Sequence, residues 1–448
     1  MQSIKCLFLV ALKQEIPVSL NKYMPIYSFK QLRSDNKVVF DSNMICVITG
    51  VGKKSLLDVI NYIDLHLDPM MIVNFGTAGS NKYNIGDFII PHSFHYKDQV
   101  IKSLFPVCPF STPENLFYTD QLTTVETVHL NQSFDLVDME AFFIAEYAVK
   151  KLIPFYCIKC VSDSNNITEF NKYLEFIKYR FNTFFNSQFN INPHVTVIIP
   201  TYNRHQTIER AIDSVLNQSI KVEIIVVDDA SNDITPDLLY NYRNHIEIVV
   251  QDRNKGVSAA RNAGAKLSKG NFISFLDSDD EWLPKKIEHQ LNYFNRHPYY
   301  NIVQCDEKWI RHGKHFNKKK HHLKQEGFIF DDCLKRCSIA PSGVMIKKDF
   351  FNQFKGFNES FTVCEDYDLW LKMSRFYLIG LNQDIDLIKY GGHSDQLSSL
   401  PALDQYRIKS LEYMLKNEFN NIFKLKIESI LNFKKSIYIN GLKKRNLQ

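Results

Sequence analysis

Short apolar runs bounded by polar residues recur along the whole chain, and between many of them apolar positions return every three or four residues. In the first half the runs at 6–10, 44–48, 71–75, 88–90 and 155–161 have strand length, while the spacing predicts helices over 53–67, 140–150 and 169–185. The second half repeats this pattern, with strands at 195–199, 223–227, 246–250 and 272–276 and helices at 207–217, 235–241 and 256–267. Such alternation predicts an α/β fold in each half, a mostly parallel sheet covered by helices.

At 448 residues the chain exceeds what one core usually supports. A seam lies at NSQFNINPH, 186–194, where an aromatic, lysine-rich helical pattern gives way to polar residues and Pro193. The expected division is 1–188, a linker at 189–194, 195–400, and a helical, basic extension at 401–448. No repeat of 20–50 residues links the halves.

The net charge of +5, from 54 basic and 49 acidic residues, excludes a dedicated nucleic-acid binder. Nine cysteines, an odd count scattered through apolar runs, suit reduced thiols and a cytoplasmic compartment. Cys157 and Cys160 have CxxC spacing but lack a second pair, so buried thiols are favoured over a zinc site. The opening MQSIKCLFLVALKQE is broken by Lys13 and Glu15 and reads as a core strand rather than a signal peptide. No stretch approaches the roughly 20 apolar residues that cross a bilayer. The basic segments at 314–324 and 425–446 read as solvated loops or helix faces, with attraction to anionic lipid and peripheral membrane association as the alternative.

In parallel α/β sheets the ligand crevice lies beyond the carboxyl ends of the strands. Three strand ends of the second half carry PTYNR (200–204), DDASND (228–233) and DSDDEW (277–282). Carboxylates gathered at one edge cost free energy unless a cation or a hydrogen-bonding ligand compensates them. Asp277 and Asp279 form a DxD pattern suited to Mg²⁺ or Mn²⁺, hard cations that bridge carboxylates to phosphate oxygens. On its own the pattern reads equally as a solvated turn in which Asp280 caps a helix.

The segments VTVIIPTYNRHQTIERAIDSVLNQS (195–219), VVDDASND (226–233), NKGVSAARNAG (254–264) and FLDSDDEW (275–282) together resemble the family 2 glycosyltransferases of GT-A (Rossmann-like) fold. That resemblance implies nucleotide-sugar binding by Pro200, Tyr202, Asp228, Asp229, Arg261 and Asp277, with Tyr202 against the base and Arg261 at the diphosphate. It implies a metal on Asp277 and Asp279. His393 is read either as a further ligand or as a loop histidine with no partner. TVCEDYDLWLKMS (362–374) resembles the family's ED segment, which makes Asp366 the general base and Glu365 its orienting neighbour. No QxxRW follows, so the resemblance implies an inverting, non-processive hexosyltransferase of polysaccharide biosynthesis. The donor is a nucleotide-sugar, a UDP-sugar first among them, and the acceptor a glycan or lipid-linked sugar.

In the first half ALKQEI (11–16), TGVGK (49–53), VNFGTAGS with IGDFIIP (73–91), VDMEAFFIA (137–145) and CVSDSNN (160–166) resemble the purine nucleoside phosphorylase superfamily, nearest to its methylthioadenosine/S-adenosylhomocysteine nucleosidase branch. The resemblance implies that Asp163 protonates a departing purine, Glu15 activates water, Glu140 binds the ribose hydroxyls and Thr77 lines the site. No arginine near Glu15 or Thr77 offers to hold phosphate, so a purine nucleoside hydrolase is expected. The alternatives are an inactive nucleoside-binding or dimerisation module, or a chain working mainly as an adenosine-thioether nucleosidase. The family's habit of completing its site across a subunit interface implies a homodimer.

Overall fold

The computed structural model describes residues 2–16, 20, 24–34, 44–104, 116–119, 121–125, 135–164, 173, 175–181, 194–317, 322–392 and 403–446. The chain forms two compact units, Met1–Ile191 and Asn192–Gln448. Positions 189–193 of the expected linker lie outside the described residues.

In the N-terminal unit Cys6–Val10 pairs in parallel with Met44–Ile48 and with Ile72–Gly79, which in turn runs parallel to Phe155–Asp163. Cys6–Val10 and Met44–Ile48 are apolar throughout, and the other two mostly so apart from buried Asn74, Lys159 and Ser162, because both faces of the sheet are covered. Helix Lys53–His66 buries Leu56, Val59, Ile60 and Ile63, and helix Ala141–Lys151 buries Ala141, Phe142, Ala145 and Ala148. The first is the one-sided stripe of a surface helix, whereas the second also buries Phe143 and Ile144 and is covered all round at its N-terminal end. Away from this core the sheet becomes mixed: Phe88–Pro91 runs antiparallel to Phe155–Asp163, and Ser93–Tyr96 forms a hairpin with Gln99–Lys102. Cys157 and Cys160 are both buried and free. Burial pushes the Cys160 thiol up to about 12, so it stays protonated and unreactive.

In the C-terminal unit four parallel strands lie in the order Glu247–Val250, Glu223–Asp228, Val195–Thr201, Phe272–Phe275. The chain starts at the third of these, steps outward twice, and returns to the other side of its starting strand. That reversal is a switch point, where a crevice opens beyond the strand ends. Helix Ile208–Leu216 buries Ile208, Ala211, Ile212 and Val215. Helix Val257–Leu267 lies so close to the sheet that a Cβ on Gly264 would come within 2.5 Å of Ile198 Cγ2.

Beyond Phe272–Phe275 the sheet turns antiparallel, through Val344–Lys347 and Ile302–Arg311. Gly380–Gly391 then pairs in parallel with Ile302–Arg311, and Glu281–Trp282 pairs antiparallel with Gly380–Gly391. The helix that Asp280 would cap is therefore replaced by a short strand, because Glu281 and Trp282 find partners in Ile388 and Leu387.

Helices Asp404–Asn417 and Asn421–Asn446 follow. Arg375, fully buried on helix Glu365–Phe376, pairs with Glu418 through Nε (2.5 Å) and Nη2 (2.9 Å) and lies 3.8 Å above the Phe423 ring. Among the described residues no helix is long and apolar enough to cross a membrane. Removing one partner of a buried pair strands the other charge, so Glu418→Ala lowers the unfolding free energy by about 3–5 kcal/mol. Urea unfolding checks this, and a loss near zero contradicts the pairing.

Candidate active site

The carboxyl edge of the parallel strands is built from turns that hold one another. Tyr202, 39% exposed, follows the first strand. Asn203 takes a left-handed conformation, φ 52°; its N–H donates to Ser231 Oγ (2.9 Å), and its Oδ1 accepts from Asn232 N (2.9 Å). Pro200, inside the strand, sits opposite Val227. Asp228 Oδ1 accepts from the N–H (3.1 Å) and hydroxyl (2.5 Å) of Ser231. Asp229, buried, takes the backbone N–H of Lys255 on Oδ1 (2.8 Å) and of Gly256 on Oδ2 (2.7 Å). Gly256, at φ +90°, is the N-cap of Val257–Leu267, so a carboxylate closes the positive end of that helix.

One turn into the same helix, Arg261 is buried between two acids from distant parts of the sequence. Its Nη2 donates to Asp277 Oδ1 (2.6 Å) and its Nη1 to Glu365 Oε1 (2.7 Å). The side chains of Arg261 and Glu365 are 4% and 7% exposed, while Asp277 keeps 26%. Burial pushes the Glu365 carboxyl up, the Asp366 charge adds to this, and Arg261 opposes both, leaving it at about 7. For Asp277 burial acts upward too, but Arg261 outweighs it and holds the group below the usual carboxylate range. The family resemblance implies a diphosphate contact for Arg261; in the structure each of its terminal nitrogens donates one hydrogen bond to a carboxylate.

Asp279 is half-buried, and its carbonyl accepts from Arg210 Nη2 (2.5 Å). Asp280 is buried, accepting from Ser342 Oγ (2.7 Å) and Tyr390 N (3.2 Å); desolvation raises its carboxyl well above the ordinary value. Ser342 Oγ also accepts from Asp277 N (3.1 Å), which ties the DxD turn to the Pro341–Gly343 turn. Asp366, half-buried in the first turn of Glu365–Phe376, accepts from Tyr367 N on Oδ1 (2.7 Å) and from Cys337 Sγ on Oδ2 (3.2 Å). Ser342, Cys337 and Tyr390 lie in none of the segments that carry the family resemblance; Arg210 lies within 195–219 but reads there only as a basic position of an amphipathic helix, so the sequence singles out none of the four. His393 lies outside the described residues. A separate group, His289, Asp384 and Asp386, brings its possible ligand atoms within 4.8 Å of one another.

The N-terminal unit gathers its own acids at a strand edge. Glu15, in the turn Lys13–Glu15, accepts from Thr77 N (2.8 Å) and Thr77 Oγ1 (2.6 Å) on Oε1 and from Leu12 N (2.8 Å) on Oε2. A Cβ on Gly76 would lie 3.1 Å from that carboxylate. Glu140 accepts from Gly52 N (2.8 Å); burial and then Asp138 push its carboxyl up to about 7 against the pull of Lys159, with Glu15 adding to the rise. Lys159 in turn pairs with Asp138 at 2.9 Å. Asp163 ends Phe155–Asp163 beside Gly79, two residues past Thr77 on the neighbouring strand, and accepts from Ser162 Oγ (2.6 Å). Glu15, Thr77, Glu140 and Asp163 thus stand at one edge.

Glycosyl transferase family 2 matches residues 196–355. The uncharacterized glycosyltransferase RP339 of Rickettsia prowazekii is 34% identical over 223 residues, covering 48% of this chain and 70% of that protein. The putative teichuronic acid biosynthesis glycosyltransferase TuaG of Bacillus subtilis is 32% identical, covering 43% and 78%. The UDP-Glc:alpha-D-GlcNAc-diphosphoundecaprenol beta-1,3-glucosyltransferase WfaP of Escherichia coli is 29% identical, covering 46% and 80%.

The Arg261 pairing has a pH-dependent consequence. Arg261→Met leaves Glu365 and Asp277 without their cation, at a cost of about 3–5 kcal/mol at pH 8. Glu365 is already raised to about 7 in the folded chain, and losing Arg261 raises it further, so protonation relieves the cost as pH falls. Stability measured at pH 8 and pH 5.5 should show the larger loss at pH 8; equal losses contradict the account.

Proposed function

The chain belongs to glycosyl transferase family 2, and from that premise we propose that it moves a single sugar, with inversion, from a nucleotide-sugar to a glycan or lipid-linked acceptor. The observation that carries this reading is Arg261 joined to both Asp277 and Glu365. Through it the strand-end acids on the donor side share one cleft edge with Asp366, the next residue after Glu365.

Tyr202 offers an aromatic face to the base. Asp228 and Asp229 line the same edge; Ser231 occupies both lone pairs of Asp228 Oδ1, which leaves Oδ2, while each Asp229 oxygen keeps a second lone pair, for a base or ribose donor. Asp277 and Asp279, acceptor-only and partly open, fit a hard divalent cation, Mg²⁺ or Mn²⁺. Such an ion, when bound, supplies positive charge to the departing diphosphate. Asp366 takes the proton of the acceptor hydroxyl as that oxygen bonds to the anomeric carbon and the bond from that carbon to the diphosphate oxygen breaks. Glu365, fixed by Arg261, holds the start of the Asp366 helix in place. Arg261 is assigned as the strut between the two acids rather than as a diphosphate ligand.

The name of the WfaP relative, a UDP-glucose enzyme acting on a diphosphoundecaprenol-linked sugar, supports a UDP-sugar donor and a lipid-linked acceptor. TuaG supports a place in polysaccharide assembly. An acceptor of that kind would put the chain at the cytoplasmic membrane face.

For the N-terminal unit we propose purine nucleoside hydrolysis, with Asp163 as the acid, Glu15 acting on water, and Glu140 on the ribose. The shared edge and the Glu15–Thr77 hydrogen bonds support it.

Incubation with UDP-, GDP- and dTDP-sugars, with and without Mn²⁺, should give nucleoside diphosphate release with at least one donor. No release from any of them counts against the transferase reading. Asp366→Asn should lower kcat by about 10²–10⁴-fold, and unchanged turnover removes it as the base. Separately, the parent chain should release adenine from methylthioadenosine and Asp163→Asn should not; no adenine from the parent ends the hydrolase reading.

A further inference from the structure

The acid-rich edge of the C-terminal unit holds a cation that the mechanism above leaves unused. Lys389 lies on Gly380–Gly391, in register with Trp309 of Ile302–Arg311. The N–H of the next residue, Tyr390, donates to Asp280. Leu387 is two residues earlier and so on the same face of the pleat as Lys389. It packs on the Pro341–Gly343 turn, with its Cδ2 3.7 Å from where a Cβ on Gly343 would be. That turn carries Ser342, whose hydroxyl bonds both Asp280 and the Asp277 backbone. Glu307 is the cross-strand neighbour of Leu387. Lys389 therefore leaves its strand on the face that carries the DxD turn's supports.

The electrostatics agree with this placement. Burial works against the Lys389 charge, yet Asp280, Glu307, Asp277 and Asp366, in falling order, more than offset it and hold the ammonium protonated well above the usual lysine range. One ammonium thus sits among acids from the donor side and from the base side of the edge. A diphosphate entering here adds negative charge to a site already lined by carboxylates. The Arg261 charge is already matched by two carboxylates, Asp277 and Glu365. A lysine ammonium is compact, carries three donors, and sits on a flexible stem that can follow a phosphate oxygen.

Resting on the transferase reading, we propose that Lys389 is a built-in cation for the diphosphate of the donor, so that this chain holds a nucleoside diphosphate even without a divalent ion. The residue is a binding group for the leaving diphosphate, separate from whatever the DxD acids coordinate.

Calorimetric titration of the full chain with UDP, GDP and dTDP, in Mn²⁺ and in EDTA, with the matching nucleoside as control, tests this. The parent should bind at least one of the diphosphates in EDTA. Lys389→Met should weaken that binding by about 10- to 100-fold, the loss of a charge-assisted hydrogen bond, while nucleoside affinity holds. Lys389→Arg should keep most of the affinity. If Lys389→Met lowers the melting temperature, Lys389→Gln, similar in length and polar but uncharged, is read in the same way. Equal affinity of the parent and the uncharged variants in EDTA overturns the proposal, as does parent binding that vanishes in EDTA or a parallel loss of nucleoside binding. A parent that binds no diphosphate even with Mn²⁺ fails at the transferase reading itself, a distinguishable result.

Discussion

A guanidinium stripped of water must be surrounded by acceptors, and in the C-terminal unit this requirement organises the candidate site. Arg261 is nearly inaccessible, and the two acids that satisfy it come from the end of the fourth parallel strand, Asp277, and from the start of a much later helix, Glu365. Neither acid can move away without leaving a buried charge unpaired, which in proteins costs several kcal/mol. The same eleven-residue helix that carries Arg261 receives Asp229 at its N-terminus, through the Lys255 and Gly256 amides. A single short helix, pressed onto Ile198 through Gly264, thereby sets the relative positions of Asp229, Asp277 and Glu365.

The N-terminal unit solves a related problem with the same chemistry. Gly52, at φ +87°, caps helix Lys53–His66 and gives its amide to Glu140, much as Gly256 gives its amide to Asp229. In both units a glycine in a left-handed conformation frees a helix-terminal N–H to hold an acid at the strand edge. The acids differ in consequence. Asp229 is held by two amides, whereas Glu140 stands near Asp138, Glu15 and Lys159 and is raised to about 7, the kind of perturbation that gathers at working sites.

The parallel cores were legible in the sequence because each strand and its covering helix are adjacent along the chain and carry their own period. The strands at 6–10 and 44–48 and the helix at 235–241 appear with the bounds their patterns give. The strand-end acids were legible for the same reason, since a parallel sheet sends every strand end to one edge. The antiparallel half was not. Glu281 and Trp282 look like a helix start until they meet Ile388 and Leu387, about a hundred positions away, and no local pattern encodes that pairing. Ser342 and Cys337 reach Asp277, Asp280 and Asp366 only through that same half, so their contacts were hidden with it. The Arg261 pairing was hidden differently. Its residue type fits a diphosphate as well as a carboxylate, and only burial decides between them.

Crystals of the full chain grown with UDP and MnCl₂, measured at the manganese absorption edge, test the central claim most directly. The account predicts an anomalous peak at the Asp277 and Asp279 carboxylates. A peak at His289, Asp384 and Asp386 instead, with the DxD acids bare, would contradict it.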